Sequence, residues 1–253
     1  MTDKKDFFPN RPRGIYLLPN IFTSVSLFSG FYAIVAAMKG LFDLAPIAIF
    51  IAAISDSLDG RVARLTHTET AFGAHYDSLS DVVSFAVAPA LLCYSWSLSY
   101  LGKPGWLVAF VFTAAVTLRL ARFNTQLSTM DKGHFQGLPS PTGAGVVTAA
   151  VWSCYEYNFS GESMALLIAM LSIAVSALMV SNVRYRSFKD LNLKDRVPFV
   201  AILAIILILV GVAIAPAQVL FLFLVSYTIS GPVLTLIELR KKRLKRRLGI
   251  RSE

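Results

Sequence analysis

Residues 56–81 read DSLDGRVARLTHTETAFGAHYDSLSD. Asp56 and Asp59 close one strongly apolar segment, and Asp77 and Asp81 open the next. The 253-residue chain is 55 % hydrophobic and only 15 % charged, with mean hydropathy +0.62. A soluble domain has no need of so many apolar runs, whereas a bilayer does. A spanning helix takes about 20 consecutive apolar residues. The pattern predicts eight helices, near 17–38, 42–65, 76–99, 104–125, 142–158, 163–183, 197–214 and 217–239. The fold class is therefore an all-α integral membrane protein, a polytopic bundle of about eight transmembrane helices. Lys39-Gly40, Gly102-Lys103-Pro104, Gly161 and Ala215-Pro216 punctuate it. The last break is so short that the final two helices form a tight hairpin. The polar start MTDKKDFFPNRPRG leads into a full-length span, unlike a cleavable signal.

Charge gives the topology. All but two of the 24 lysines and arginines lie before the first helix, in 59–75, 119–140 and 184–196, or after residue 239. Only Lys39 and Lys103 fall on the other side. This bias predicts both termini and the aspartates on the cytoplasmic side of the cytoplasmic (inner) membrane. The chain then divides into a cytoplasmic N-terminal segment (1–16), a membrane core (17–183), a cytoplasmic loop with a C-terminal hairpin (184–239), and a basic cytoplasmic tail (240–253). Most of the net charge of +9 is this bias. The tail RKKRLKRRLGIR suits anionic lipid headgroups better than nucleic acid. Cys93 and Cys154, without metal spacing, read as small core residues.

Why would so apolar a chain keep four carboxylates together? A lone carboxylate near lipid is costly, so a cluster calls for cations and a function. Asp56 and Asp59 are three residues apart, and Asp77 and Asp81 four, so on helices each pair shares a face. Packing the second helix on the third converges all four at the cytoplasmic interface. Alone they repel one another. Hard divalent cations such as Mg²⁺, Mn²⁺ or Ca²⁺ relieve that repulsion, and two ions in such a site suit phosphoryl displacement. Gly60 and Ala63 leave room for a bulky ligand, and Arg64, one turn on from Gly60, can grip a phosphate. Gly73, read as preceding the third helix, lets backbone approach a nucleotide.

The plainer reading is a juxtamembrane salt-bridge network in which Arg61 and Arg64 neutralise the acids. Two arginines, however, do not call for four acids with small residues between them. DSLDG lacks the alternating ligands of an EF-hand loop, and GLPSPTGAG (137–145) lacks the GK[ST] ending of a phosphate loop.

The spacing Asp56-x2-Asp59-Gly60-x2-Ala63-Arg64-x8-Gly73-x3-Asp77-x3-Asp81 resembles the signature of the CDP-alcohol phosphotransferases at all its fixed positions. The first six helices are similar to that family's six-helix catalytic core. RGIYLLPNIFTSVSLFSGFYAI (13–34), RLARFN (119–124) and FQGLPSPTGAG (135–145) resemble the branch that uses serine. The resemblance implies a metal-dependent membrane enzyme moving the phosphatidyl group of CDP-diacylglycerol to the hydroxyl of L-serine, with release of CMP. It implies two divalent ions on Asp56, Asp59, Asp77 and Asp81, with Asp81 also the general base. It implies a CDP-lipid site of Asn20, Thr23, Asp59, Gly60, Ala63, Arg64 and Gly73, and by family analogy a homodimer among membrane lipids.

An amino-acid acceptor needs a cation for its carboxylate. Arg119 and Arg122 can supply it, with hydrogen bonds from Asn124, Ser140 and Thr142. Positive-inside anchoring is the alternative for both arginines, and Thr23 can equally bond its own helix. His67, His75 and His134 fall outside the pattern and read as loop residues. Glycerol 3-phosphate, inositol phosphate and choline compete as acceptors, with Tyr76, Phe85 and Tyr94 keeping an aromatic cage for choline open. A prenyltransferase is opposed by the Gly60, Ala63, Arg64 and Gly73 pattern. A divalent-cation transporter would need acids leading across the bilayer, and Glu156 and Glu162 are unconnected to the cluster.

Overall fold

A computed structural model describes residues 17–66, 68, 70–126, 134–186 and 199–247. Its helices are α1 (Leu17–Met38), α2 (Leu44–Thr66), α3 (Ala71–Asp81), α4 (Ala88–Trp96), α5 (Lys103–Gln126), α6 (Ser140–Glu156), α7 (Gly161–Val180), α8 (Phe199–Ile214) and α9 (Pro216–Arg247). A π-helical turn, Val82–Val87, joins α3 to α4 in one rod, and strands β1 (His134–Gln136) and β2 (Arg184–Arg186) form a small ribbon.

Five helical spans are long and apolar enough to cross a membrane: Leu18–Met38, Ala71–Trp96, Lys103–Thr125, Gly161–Val180 and Pro216–Ile237. This is the pattern of a multi-pass membrane protein. In α2, Asp56, Asp59 and Arg61 interrupt the apolar run, whereas α6 and α8 are short, at 17 and 16 residues.

The structure departs from the predicted helix map in three places. The third rod begins at Ala71 rather than 76, because the Thr70 hydroxyl accepts the Gly73 N–H at 3.0 Å and caps the first turn. Gly73 and His75 therefore sit on α3, not in the connection before it. The last helix continues past 239 to Arg247. The ribbon pairs β1 antiparallel to β2, with Phe135 opposite Tyr185, in segments read as loops.

Small residues set the packing near the site. Gly40, at φ +74°, closes α1: its N–H bonds the Ala37 carbonyl, while Leu41 N–H bonds Ala36. The chain then doubles back, and Ala33, Ala36 and Ala37 of α1 and Ala45, Ala48 and Ala52 of α2 are all buried. Such side chains let backbones approach closely, as they do between membrane helices. The buried stripe of α2 runs on through Ser55 to Asp59, so the face that packs the hairpin also carries a carboxylate inward.

On its other side α1 meets the α3–α4 rod. A side chain at Gly30 would overlap Ser84. Ser80 donates to the Thr23 carbonyl at 3.3 Å and Ser84 to the Ser26 carbonyl at 3.0 Å. Pro89 accounts for the π-turn: it has no N–H to return to Phe85. The ladder shifts instead, and Ala88 N–H bonds Val83, five residues back.

The two ends of the bundle are tied differently. Away from the aspartates, Gln218 of α9 donates to Glu156 at the end of α6 at 2.7 Å, and Ser97 to the Gly161 carbonyl at 2.9 Å. At the ribbon, Gly137 at φ +80° lies so close to the Met179 carbonyl that a Cβ would overlap it. Its N–H bonds Val183 at 2.8 Å, which seats the start of α6 beside the end of α7. Cys93 is buried and Cys154 partly so, and both are free thiols.

Candidate active site

The last turns of α2 and the turns of α3 face each other with their acids. One carboxylate oxygen from each of Asp56, Asp59 and Asp77 lies within 4.8 Å of the other two. Asp59 is only 5 % exposed, and the Thr23 hydroxyl donates to its Oδ2 at 2.8 Å. The same hydroxyl is 3.2 Å from the Pro19 carbonyl, so Thr23 meets both its own helix and the cluster. Asp81 stands beside the trio, under the fields of Asp56 and Asp77. The Oδ1 atoms of Asp77 and Asp81 are buried without a hydrogen-bond partner. Buried carboxylate oxygens left unpaired are expensive. An all-oxygen donor set of this charge fits a hard divalent cation.

Two cations act on the acids. Arg64 acts on Asp59 and Arg119 on Asp81. The Arg64 guanidinium lies over Gly60, where a Cβ would come 3.5 Å from its Nη1. Arg61 does not share this arrangement. It lines a separate groove of about 650 Å³ with Ile49, Phe50, Ala53 and Ser57 of α2, closed by Phe223 and Leu224 of α9. The salt-bridge reading, which needed Arg61 and Arg64 together, thus loses one of its partners.

The remaining predicted residues separate into those that meet the acids and those that do not. Asn20 approaches the first turn of α3, where a Cβ on Gly73 would lie 3.4 Å from its Oδ1. The Gly73 N–H is taken by the Thr70 hydroxyl. Ala63 is half-buried on α2, and its carbonyl accepts from Thr68 N–H at 3.0 Å. Arg119 Nη1 donates to Ser140 at 2.7 Å, and its Nε is buried without a partner. Asn124 donates to Ser78, the neighbour of Asp77, at 2.9 Å. Arg122 instead bonds the Asn182 side chain at 2.7 Å, and Thr142 lines the apolar groove. His67 and the side chain of His134 lie outside the described residues.

A family model for CDP-alcohol phosphatidyltransferases matches residues 16–179. The chain belongs to that family. Among its relatives, the CDP-diacylglycerol–serine O-phosphatidyltransferase of Helicobacter pylori is 36 % identical over 219 residues, covering 86 % of this chain and 90 % of that protein. The protein of the same name from Mycobacterium tuberculosis is 30 % identical over 233 residues, covering 86 % and 79 %. The archaetidylserine synthase of Methanothermobacter thermautotrophicus is 38 % identical over 170 residues, covering 66 % and 69 %.

The segment matched to the CDP-alcohol phosphatidyltransferases holds the four aspartates, Arg64 and Arg119. It ends before β2, α8 and α9. Within it, sequence reasoning overlooked a hydroxyl contact that ties α1 to α3 beside Asp77. Ser24 and Tyr76 are hydrogen-bonded at 2.9 Å across α1 and α3, and the Tyr76 ring stacks on Phe72 at 6.0 Å. Serines recurring at 78, 80 and 84 are the signal that could have found part of this set, because hydroxyls on an apolar helix need partners.

Proposed function

We propose that this CDP-alcohol phosphatidyltransferase moves the phosphatidyl group of CDP-diacylglycerol to the hydroxyl of L-serine, giving phosphatidylserine and CMP. The observation that carries the reading is the convergence of Asp56, Asp59 and Asp77 beside Asp81, with Arg119, bonded to Ser140, as the cation that acts on Asp81. The names of the relatives supply the acceptor.

Asp56, Asp59, Asp77 and Asp81 would hold the divalent metal ions, two of them, as Mg²⁺ or Mn²⁺, with Ca²⁺ a further candidate. Bound there, such ions would supply positive charge to offset that of the diphosphate and of CMP as the leaving group. Arg64, lying over Gly60 with Ala63 alongside, clamps diphosphate oxygens. Asn20, Thr23 and the first turn of α3 at Gly73 border the cytidine end. The apolar groove beside Arg61 takes an acyl chain. Arg119, with Ser140 and Asn124 nearby, holds the serine carboxylate. Asp81 accepts the proton of the serine hydroxyl as that oxygen bonds to the phosphorus bearing diacylglycerol, and the phosphorus–oxygen bond to CMP breaks. Positioning and electrostatics carry most of the rate, as in other phosphoryl transfers. Arg122 and Thr142 take supporting places at the edge of this site.

The layout belongs to the same proposal. Eight helical rods span the membrane, with 17–183 as a six-helix catalytic core and 184–239 as a loop and closing hairpin. The termini, the basic tail from 240 and the aspartates face the cytoplasm across the inner membrane, and the enzyme is a homodimer.

The test follows CMP release from CDP-diacylglycerol by purified protein with Mn²⁺ or Mg²⁺. Serine, glycerol 3-phosphate, inositol phosphate and choline are offered separately, and Asp81→Asn is run alongside. Serine-dependent release, lost in the variant, is the expected result. Release with another alcohol alone would overturn the acceptor and keep the aspartate chemistry. Cation uptake by proteoliposomes, with no release from folded protein, would replace the enzyme by a transporter.

A further inference from the structure

The groove beside Arg61 has a polar end and an apolar one. Its polar lining residues, Ser57, Arg61 and Thr142, stand at the level of the acids: Ser57 follows Asp56 on α2, and Thr142 comes just after Ser140 at the start of α6. Phe85, also in the lining, lies one turn beyond Asp81. Away from that end the lining is apolar, and it follows α2 from Arg61 back to Ile49, about 18 Å of helix. Polarity at one end only suits an amphiphile with its head at the acids and its tail along α2. Ile54 and Phe223 on the rim are exposed, so the groove is open along its flank.

The tail's path is pinched over a glycine. Gly145 of α6 is buried, and a Cβ built on it would stand 2.8 Å from Leu224 Cδ1 and 3.6 Å from Phe50 Cε1. Two side-chain tips thus flank one point. A methylene passing between them needs about 3.5–4.0 Å from each, and tips so placed do not leave that separation. Phe50 is backed by the Trp152 ring, 6.2 Å away and tilted by 39°. Leu224 closes the pair from α9, in the hairpin that follows the matched 16–179. Past the pinch, Ile49, Val212 and Leu220 continue the lining.

We propose that Leu224 limits the length of the acyl chain the enzyme accepts, so that the C-terminal hairpin sets lipid specificity for chemistry carried by the family segment. A chain whose head is held at the acids reaches the pinch with its last methylenes. A longer one must displace Leu224 or leave through the open flank, and overpacking a closed space is costly. Alanine at 224 removes the tip that meets Phe50 and joins the deeper lining to the rest. Phenylalanine there moves the stop toward the acids. The inference rests on reading the groove as the seat of an acyl chain.

The experiment measures kcat/KM for CDP-diacylglycerols that differ only in acyl length, in mixed micelles of fixed composition, with KM for serine alongside. Wild type, Leu224→Ala, Leu224→Phe and Ala53→Phe are compared. Wild type should fall off beyond a certain length. Leu224→Ala should recover about tenfold on the first length that wild type rejects, the scale of relieved overpacking. Leu224→Phe should move the fall-off to shorter chains, and the serine KM should not change in either. A merely structural role for Leu224 would lower activity at every length and shift the profile in neither direction. Unshifted profiles in both Leu224 variants, while Ala53→Phe discriminates by length, would overturn Leu224 as the stop and keep the groove. Equal losses at all lengths in Ala53→Phe would instead remove the acyl chain from the groove, a failure of the underlying reading that is visible without Leu224.

Discussion

Replacing Thr23 by valine keeps the shape of the side chain and removes one hydroxyl. A hydroxyl has a single proton, so Thr23 cannot serve both acceptors at once. The 2.8 Å approach to Asp59 Oδ2 is shorter than the 3.2 Å approach to the Pro19 carbonyl, and the charged oxygen is the stronger acceptor. Both residues are buried, Thr23 at 3 % and Asp59 at 5 % exposure, so water cannot replace what is lost. Hydrogen bonds to charged groups contribute about 1.5–3 kcal/mol. At about 1.4 kcal/mol per factor of ten, a carboxylate oriented by this bond should bind Mn²⁺ roughly 10- to 100-fold more weakly without it. Loss of an outer partner of a metal ligand costs a similar factor. Titration calorimetry of Mn²⁺ into detergent-purified protein reads the change directly, and Thr23→Ser is the control that restores the donor. If Thr23→Val binds Mn²⁺ as wild type does, Asp59 needs no help from α1 and the reasoning fails. It fails also if Thr23→Ser is as weak as Thr23→Val, since the methyl group would then be what matters.

Three further outcomes follow from other parts of the molecule. Gly30→Ala drives a methyl group into Ser84, to 2.7 Å from its Cα; overpacking of this kind costs about 1–3 kcal/mol, and the variant should melt several degrees lower in detergent. Burial, with Tyr227 adding to it, pushes the Tyr185 phenol up to about 12, whereas an unfolded tyrosine ionises near about 10. Between those values the folded chain holds the extra proton, so stability should fall as pH rises through that window, and less steeply in Tyr185→Phe. Ala53→Phe fills part of the groove beside Arg61, and should raise KM for long-chain CDP-diacylglycerol while sparing a short-chain analogue; equal effects on both would detach the groove from the lipid tail.

How much of this was legible in the sequence depends on the range over which each signal acts. The carboxylate site was legible because helical spacing alone puts Asp56 with Asp59 and Asp77 with Asp81, and the apolar flanks say that α2 packs beside the rod that α3 opens. Arg119 and Arg122 looked equivalent, three residues apart on one helix. Only the folded chain separates them, giving Ser140 to the first and Asn182 to the second. The ribbon was hidden because strands of three residues have no period to detect and their partners lie some 50 residues away. The early start of α3 was written in Thr70, a capping residue whose signal was outweighed by the mixed polarity of the turn after it.

The π-turn between Asp81 and Ala88 has a consequence for how this rod can vary. It spends one more residue on its climb than an α-helix would, so whatever follows is re-phased by about 100° around the shared axis. The acid-bearing half can therefore face α2 while Ala88 and Leu92 of the other half face the apolar interior, each with its own clock. Substitutions in one half leave the heading of the other untouched. Loss of a single residue from 82–87 would lock the two clocks together. Either the carboxylates or the buried face would then be turned the wrong way, with no side chain at the site having changed.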